Sequence, residues 1–265
     1  MKTKTAIIIL IIIMGCSSMN ETVENMYKKV DVKNTERITE KDIQYLPDVV
    51  QRYLRHVNII GKEKIKTVRL KQRGNFRLKP EDDFRTMEAE QYINTEAGEF
   101  YWKGKVGIIT AIDKFIGGRG NMTVKLLGLV KVAEMEGEKI DQGELIRFLA
   151  EGVWFPTIFV EDFIKWEALN NGVAKATITL DKISVSALFH FNERNEVARI
   201  TAKRYMEKDG EFTLEDWEIR NLEYKIFDGI LIPSRSDVIW NLNTGKFCWY
   251  KPEILEIEYN VTSTF

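Results

Sequence analysis

A chain of 265 residues fits one large β-rich domain or two small ones, and 44% hydrophobic with 11% aromatic residues supply a sizeable core. The formal net charge of −1 and an isoelectric point near 6.3 exclude the clustered basic footprint of a nucleic-acid binder. The only cysteines, Cys16 and Cys248, exclude a disulfide framework. The only histidines, His56 and His190, leave little for imidazole-based metal binding or catalysis.

The first residues read as an export signal. Lys2 and Lys4 give a positive start, and Ala6 through Met14 form an apolar run too short to span a bilayer. Ile13-Met14-Gly15-Cys16 resembles the bacterial lipobox, in which the signal is cut before a cysteine that is then lipid-modified. Residues 1–15 are therefore expected to be a lipoprotein signal peptide and Cys16 the lipid attachment point. Two or three acyl chains on that cysteine would give stable attachment to the cell membrane or the outer membrane. Residues 16–40 are polar and weakly periodic, and are expected to form a tether before a single domain over 41–265.

Within the domain, Leu46 to Val57 predicts a helix. Pro47 suits a helix start, and Val49, Val50, Tyr53, Leu54 and Val57 recur at helical spacing. His56 falls off that stripe and reads as an exposed helical residue. From Ile65 onward, turn signals such as Ala97-Gly98, Asn171-Gly172, Asp228-Gly229 and Thr244-Gly245 separate strand patterns. Strands are expected at 65–78, 84–95, 99–105, 107–116, 120–127, 129–136, 163–169, 173–181, 183–191, 197–206, 214–226, 230–241 and 246–260. The hairpin spacing argues an antiparallel meander, and without βαβ alternation a parallel sheet is not expected. One helical stretch interrupts this pattern, Gly143 to about Glu151, with Leu145, Phe148 and Leu149 on one side and Glu144, Arg147 and Glu151 on another. The fold expected is mainly β with a few helices (α+β), a large antiparallel sheet curled as a half-barrel around that helix.

Chemical motifs are scarce. Gly117-Gly118-Arg119-Gly120 has neither the lysine-hydroxyl pair of a phosphate loop nor a helix after it, and reads as a turn. Cys248 sits in a strand pattern as a small hydrophobe. No HExxH, CxxC, EF-hand or G-x-S-x-G spacing occurs, so neither a metal nor a cofactor is expected. Glu88 and Glu90 share a strand face. If the helix lies inside the sheet, Glu90 could meet Arg147 and Glu151, either as a structural ion pair, which is the favoured reading, or as the carboxylates of a hydrolase. The aromatic set Trp102, Phe115, Phe148, Trp154, Phe155, Trp166, Phe189 and Trp240 could fill a core or line a cavity for an apolar ligand.

The runs LPDVVQRYLRHV, VRLKQRGNFR, AEQY, GELIRFLAEGVWFPT and IPSRSDVIW resemble a bacterial family catalogued as domain of unknown function number 6544, over roughly Ile43 to Tyr259. That resemblance implies no activity and no catalytic residue. The layout is also similar to the periplasmic lipoprotein-carrier half-barrels. The function expected is a monomeric, membrane-anchored lipoprotein that binds a lipid or other apolar ligand. The alternatives are a cell-envelope hydrolase using Glu90, Glu151 and Arg147, and a structural or partner-binding lipoprotein.

Overall fold

Glycine at left-handed turn positions sets where the chain reverses. Gly98, Gly117, Gly118, Gly128 and Gly229 all have positive φ, a region that costs glycine nothing. At Asp228-Gly229 both residues have positive φ, 48° and 72°, as the two-residue hairpin turn requires. Between such turns, alternating side chains build strands. The computed structural model describes residues 18–208 and 210–265. The signal peptide, the lipobox and Cys16 lie outside the described residues.

The strands are β1 (Thr67–Phe76), β2 (Arg85–Asn94), β3 (Glu99–Val106), β4 (Ile109–Ile116), β5 (Arg119–Leu126), β6 (Val130–Glu136), β7 (Ile164–Asn170), β8 (Val173–Leu180), β9 (Ile183–Phe191), β10 (Val197–Lys208), β11 (Glu211–Phe227), β12 (Ile230–Leu242) and β13 (Gly245–Tyr259). They form one 13-stranded antiparallel sheet, in the order β6-β5-β4-β3-β2-β1-β13-β12-β11-β10-β9-β8-β7. The expected meander is borne out, with a single long-range join where the first and last strands pair.

That order places both sheet edges, β6 and β7, on either side of one connection. The connection is helix α4 (Glu138–Glu151), followed by 3-10 turns at Gly152–Trp154 and Pro156–Val160. The chain leaves one edge, crosses the concave face and enters the other edge. On the way α4 packs against β4, β5 and β6 from one wing and β9 and β10 from the other. The helix begins earlier than Gly143 because Asp141 docks it onto β5, accepting hydrogen bonds from Gly120 N (2.7 Å) and Arg119 Nη1 (3.2 Å). A side chain at Gly120 would meet the Ile140 backbone at 3.0 Å, so glycine permits that approach. Gly152, at the C-terminal end of α4, stays right-handed and continues into the 3-10 turn.

Three further helices precede the sheet. α3 (Asp48–His56) lies where expected, with Val49, Val50, Tyr53 and Leu54 buried. Tyr53 packs on Phe159 and Phe191. A one-turn helix, α2 (Glu40–Ile43), carries a Thr39/Asp42 capping box. The segment expected as a polar tether behaves differently. Met19–Tyr27 forms α1, capped by Ser18 accepting from Glu21 N. Its Val23, Met26 and Tyr27 are buried against Tyr92 and Tyr101, a cluster separate from the main core. Tyr27 Oη donates to Val68 O, and Asn94 Nδ2 donates to Met26 O. A helix with an apolar stripe that finds a matching sheet face is not free to extend.

Candidate functional site

Strand alternation decides which side chains meet α4. On β2, Met87, Ala89, Gln91 and Ile93 are buried on one face, which leaves Glu88 and Glu90 on the other. Glu90 accepts from Tyr92 Oη (2.8 Å) and lies 3.5 Å from Lys103 Nζ, beside the α1 cluster. The expected meeting of Glu90 with Arg147 is therefore corrected. It is one residue out of phase, and in a strand one residue is the other side of the sheet.

The inward residues near Arg147 are Asp113 of β4 and Gln91. Arg147 Nη1 donates to Asp113 Oδ2 (2.5 Å) and its Nε to Glu151 Oε1 (2.7 Å). Glu151 Oε2 in turn accepts from Gln91 Nε2 (2.6 Å). The guanidinium sits over the rings of Phe100 (4.8 Å) and Trp102 (5.3 Å), and its side chain is only 15% exposed. Trp102 Nε1 donates to Gln72 Oε1 (3.0 Å). Toward the other wing, Arg204 of β10 donates from Nε to Gly143 O (3.1 Å) and from Nη2 to Glu144 Oε1 (3.0 Å).

This cluster holds three carboxylates and two guanidiniums, so one proton makes it neutral. Burial, followed by the nearby Asp113 charge, pushes Glu144 up to about 8. Glu144 Oε2 and Asp113 Oδ1 are both buried without a protein donor. A protonated Glu144 facing Asp113 satisfies both oxygens. Burial pulls Arg147 down, but Glu151, Asp113 and Glu144 together hold it above the ordinary guanidinium value. The arrangement is an ion network locking the helix to both wings, closed to a water nucleophile by its burial.

The aromatic set is distributed through the core. Phe115, Phe148, Phe155 and Phe189 are fully buried, Trp102, Trp154 and Trp240 nearly so, and Trp166 packs edge-on to Phe159 and Phe189. Phe148 stacks on Phe155. None of the eight lines the groove between β9 and β10.

That groove arises from an interruption in the sheet. β9 and β10 pair only from Val197↔Phe191 to Thr201↔Leu188. Beyond that point, residues 183–187 pair with β8 alone and residues 202–208 with β11 alone. The strands part, leaving a groove of about 790 Å³. Because Arg204 reaches α4, the 200/202/204 set faces inward and Thr201, Lys203 and Tyr205 face outward. The groove therefore runs from the outer surface of the sheet down to Gln142 and Ile146 of α4. Its walls include Val185, Ala187, Ala202 and Trp217, and its rim the Lys203–Asp216 ion pair (2.8 Å). Trp217 carries a buried indole N–H that no protein group accepts.

Neither sequence histidine builds a site: His56 Nε2 lies 3.9 Å from Glu196, and His190 bonds Thr201 and Arg199 on the outer face. Cys248 is half-buried, and burial pushes its thiol up. Gly117 and Gly118 form a turn, as their spacing suggested. Sequence reasoning missed Asp113, Gln91, Arg204 and Trp217. For Asp113 a signal existed, because it alternates with Ala111 and Phe115.

The model of a family described as a family of unknown function, DUF6544, matches residues 36–252. No curated protein matches the chain. Among solved structures, a DUF1329 family protein from Desulfovibrio piger is similar with a TM-score of 0.47 at 9% identity, over 86% of this chain and 96% of that one. A LolA superfamily protein from Nitrosomonas europaea is similar with a TM-score of 0.45 at 10% identity, over 79% of this chain and 93% of that one.

Proposed function

We propose that this chain, which belongs to the DUF6544 family of unknown function, is a membrane-anchored binding protein whose ligand is a lipid-like amphiphile held between β9 and β10. The observation that carries this reading is Trp217. It lines a groove of about 790 Å³ and carries a buried indole N–H that no protein group accepts. An orphan donor beside apolar walls suits a ligand with an apolar body and an acceptor oxygen. The groove size lies within the roughly 300–1,000 Å³ of small-molecule sites. The parted backbones of β9 and β10 add further polar groups that such a ligand can satisfy.

The membrane attachment rests on the lipobox-like run ending at Cys16. It predicts that Cys16→Ala abolishes labelling by a radioactive fatty acid and leaves precursor uncut; unchanged labelling would contradict it. The hydrolase reading loses its geometry, because Glu90 lies on the far face of the sheet and the Arg147 charge is already met by Asp113 and Glu151.

The groove is tested by native mass spectrometry of the full chain, followed by solvent extraction. The expected result is a co-purifying amphiphile that is lost when Ala187→Trp fills the groove. An identical ligand complement in both proteins would overturn the assignment.

A further inference from the structure

The hairpins of the first wing turn at alternating ends, and the two ends differ. At one end the turns are small or polar, Thr95-Glu96-Ala97-Gly98 and Gly117-Gly118. At the other end, the β3–β4 and β5–β6 turns carry exposed aliphatic side chains. Ile109, Leu126 and Val130 stand opposite one another across three strands. Ile108, Leu127 and Leu129 extend beyond them, with Leu127 65% and Leu129 84% exposed. Leu127 N donates to Ile108 O (2.7 Å), tying the two turns into one surface. Exposed aliphatics this concentrated call for a partner. Lys105 and Lys125 flank them, and Lys131 beside them pairs with Glu134. The neighbouring β1–β2 turn carries Glu81, Asp82 and Asp83 beside the exposed Leu78, so the contact centres on the outer corner of the wing.

The direction of α1 says what that partner is. Met19 lies against Lys103, while Tyr27 reaches Val68 at the opposite end of the strands. The N-terminus of α1 therefore points toward the aliphatic turns. From the Lys103 row to the strand end at Val106 is roughly 10 Å, at about 3.3 Å per residue. Cys16 precedes Met19 by a similar reach of chain, roughly 10 Å, and the apolar run Ala6–Met14 precedes Cys16. With α1 folded onto the sheet, little free chain separates the domain from whatever holds its N-terminus.

We propose that the β3–β4 and β5–β6 turns insert their aliphatic side chains into the surface of an anionic phospholipid bilayer, with Lys105 and Lys125 at its headgroups. The domain then stands against the membrane on this corner instead of hanging from a tether. Basic residues around an apolar tip match the negative potential of such a surface. The inference goes beyond the groove, and uses the N-terminal anchor only for direction.

The test places benzoylphenylalanine at Leu129, or at Ala97 on the opposite end, in the full chain reconstituted with phosphatidylethanolamine–phosphatidylglycerol vesicles. Irradiation is expected to crosslink phospholipid from position 129 and not from 97. Replacing Ile108, Leu127 and Val130 together by serine should abolish the crosslink from 129 while the circular dichroism spectrum stays unchanged. Equal crosslinking from both positions, capture of a second copy from position 129, or no lipid adduct would overturn the proposal. The groove variant Ala187→Trp should crosslink like the native chain, so failure of the ligand reading is separable.

Discussion

Two faces of the same helix are treated in opposite ways. Toward β2, β3 and β4, α4 buries Arg147 and Glu151 in a network where Asp113 accepts from Arg147 and Gln91 donates to Glu151. Toward β9 and β10, a turn away, Gln142 and Ile146 look out through a parted ladder. The first face spends polar side chains on fixing position, and the second leaves backbone and an indole N–H without protein partners. A buried charge needs an exact complement, which makes that face a poor place for a changing ligand. The parted strands carry no such obligation, and binding resides there.

The sealed face is the harder one to damage quietly. Arg147→Met should lower stability by about 3–5 kcal/mol, because Asp113 and Glu151 would be left as uncompensated buried charges. Denaturant titration measures it. Adding Asp113→Asn should recover part of the loss, giving a coupling energy of about 1–3 kcal/mol. Strict additivity would show that the network is not one unit.

The next effect is smaller and depends on pH. Glu144 stays protonated in the folded chain up to about pH 8, whereas in the unfolded chain it ionises near the ordinary carboxylate value. Its contribution is therefore fully present below that ordinary value and lost as pH rises toward about 8. Each tenfold difference in proton affinity between folded and unfolded chain is worth about 1.4 kcal/mol. Glu144→Gln, which stays neutral, should flatten the stability profile across this window and exceed the native chain in stability at alkaline pH. Parallel profiles for the two proteins would contradict the shared-proton arrangement.

The open face should respond in ligand content more than in stability. Ala187 lines the groove but is only 1% exposed, so Ala187→Trp should carry the overpacking cost of about 1–3 kcal/mol, while bound amphiphile disappears. Smallest of all is Glu90→Gln. On the outer face it should cost about 0.5 kcal/mol or less, and a loss comparable to Arg147→Met would put Glu90 back beside the helix.

The contrast between the faces also explains what could be read from sequence. The strands were legible because Asp228-Gly229, Asn171-Gly172 and similar pairs punctuate regular alternation. The half-barrel around a helix followed from one helical pattern among many strands. Arg147 and Glu151 were legible as a pair through helix geometry alone. Their strand partner was not, because alternation shows which residues share a face without saying which face turns inward. Taking Met87, Ala89 and Ile93 as the inner set would have selected Gln91 over Glu90. α1 was expected as a tether, although Val23, Met26 and Tyr27 recur at helical spacing behind a Ser18-x-x-Glu21 cap. The groove was not, because residues 183–187 alternate as regularly as any paired strand. Their separation from β10 shows only in the ladder, where pairing ends at Thr201↔Leu188.

Hydrogen exchange tests the open groove most directly, through the amides along the parted edges, residues 183–187 and 202–208. In the free full chain, those pointing into the groove should exchange much faster than amides of β11 and β12, which pair from Asp216↔Asn241 to Phe227↔Ile230 with bulges only around Asn221–Tyr224. Adding oleate, an amphiphile with an acceptor carboxylate, should slow exchange at these segments and shift Trp217 emission, and neither change should occur in Ala187→Trp. Uniformly slow exchange across β9 and β10 in the free protein, or no protection by oleate, would contradict the account.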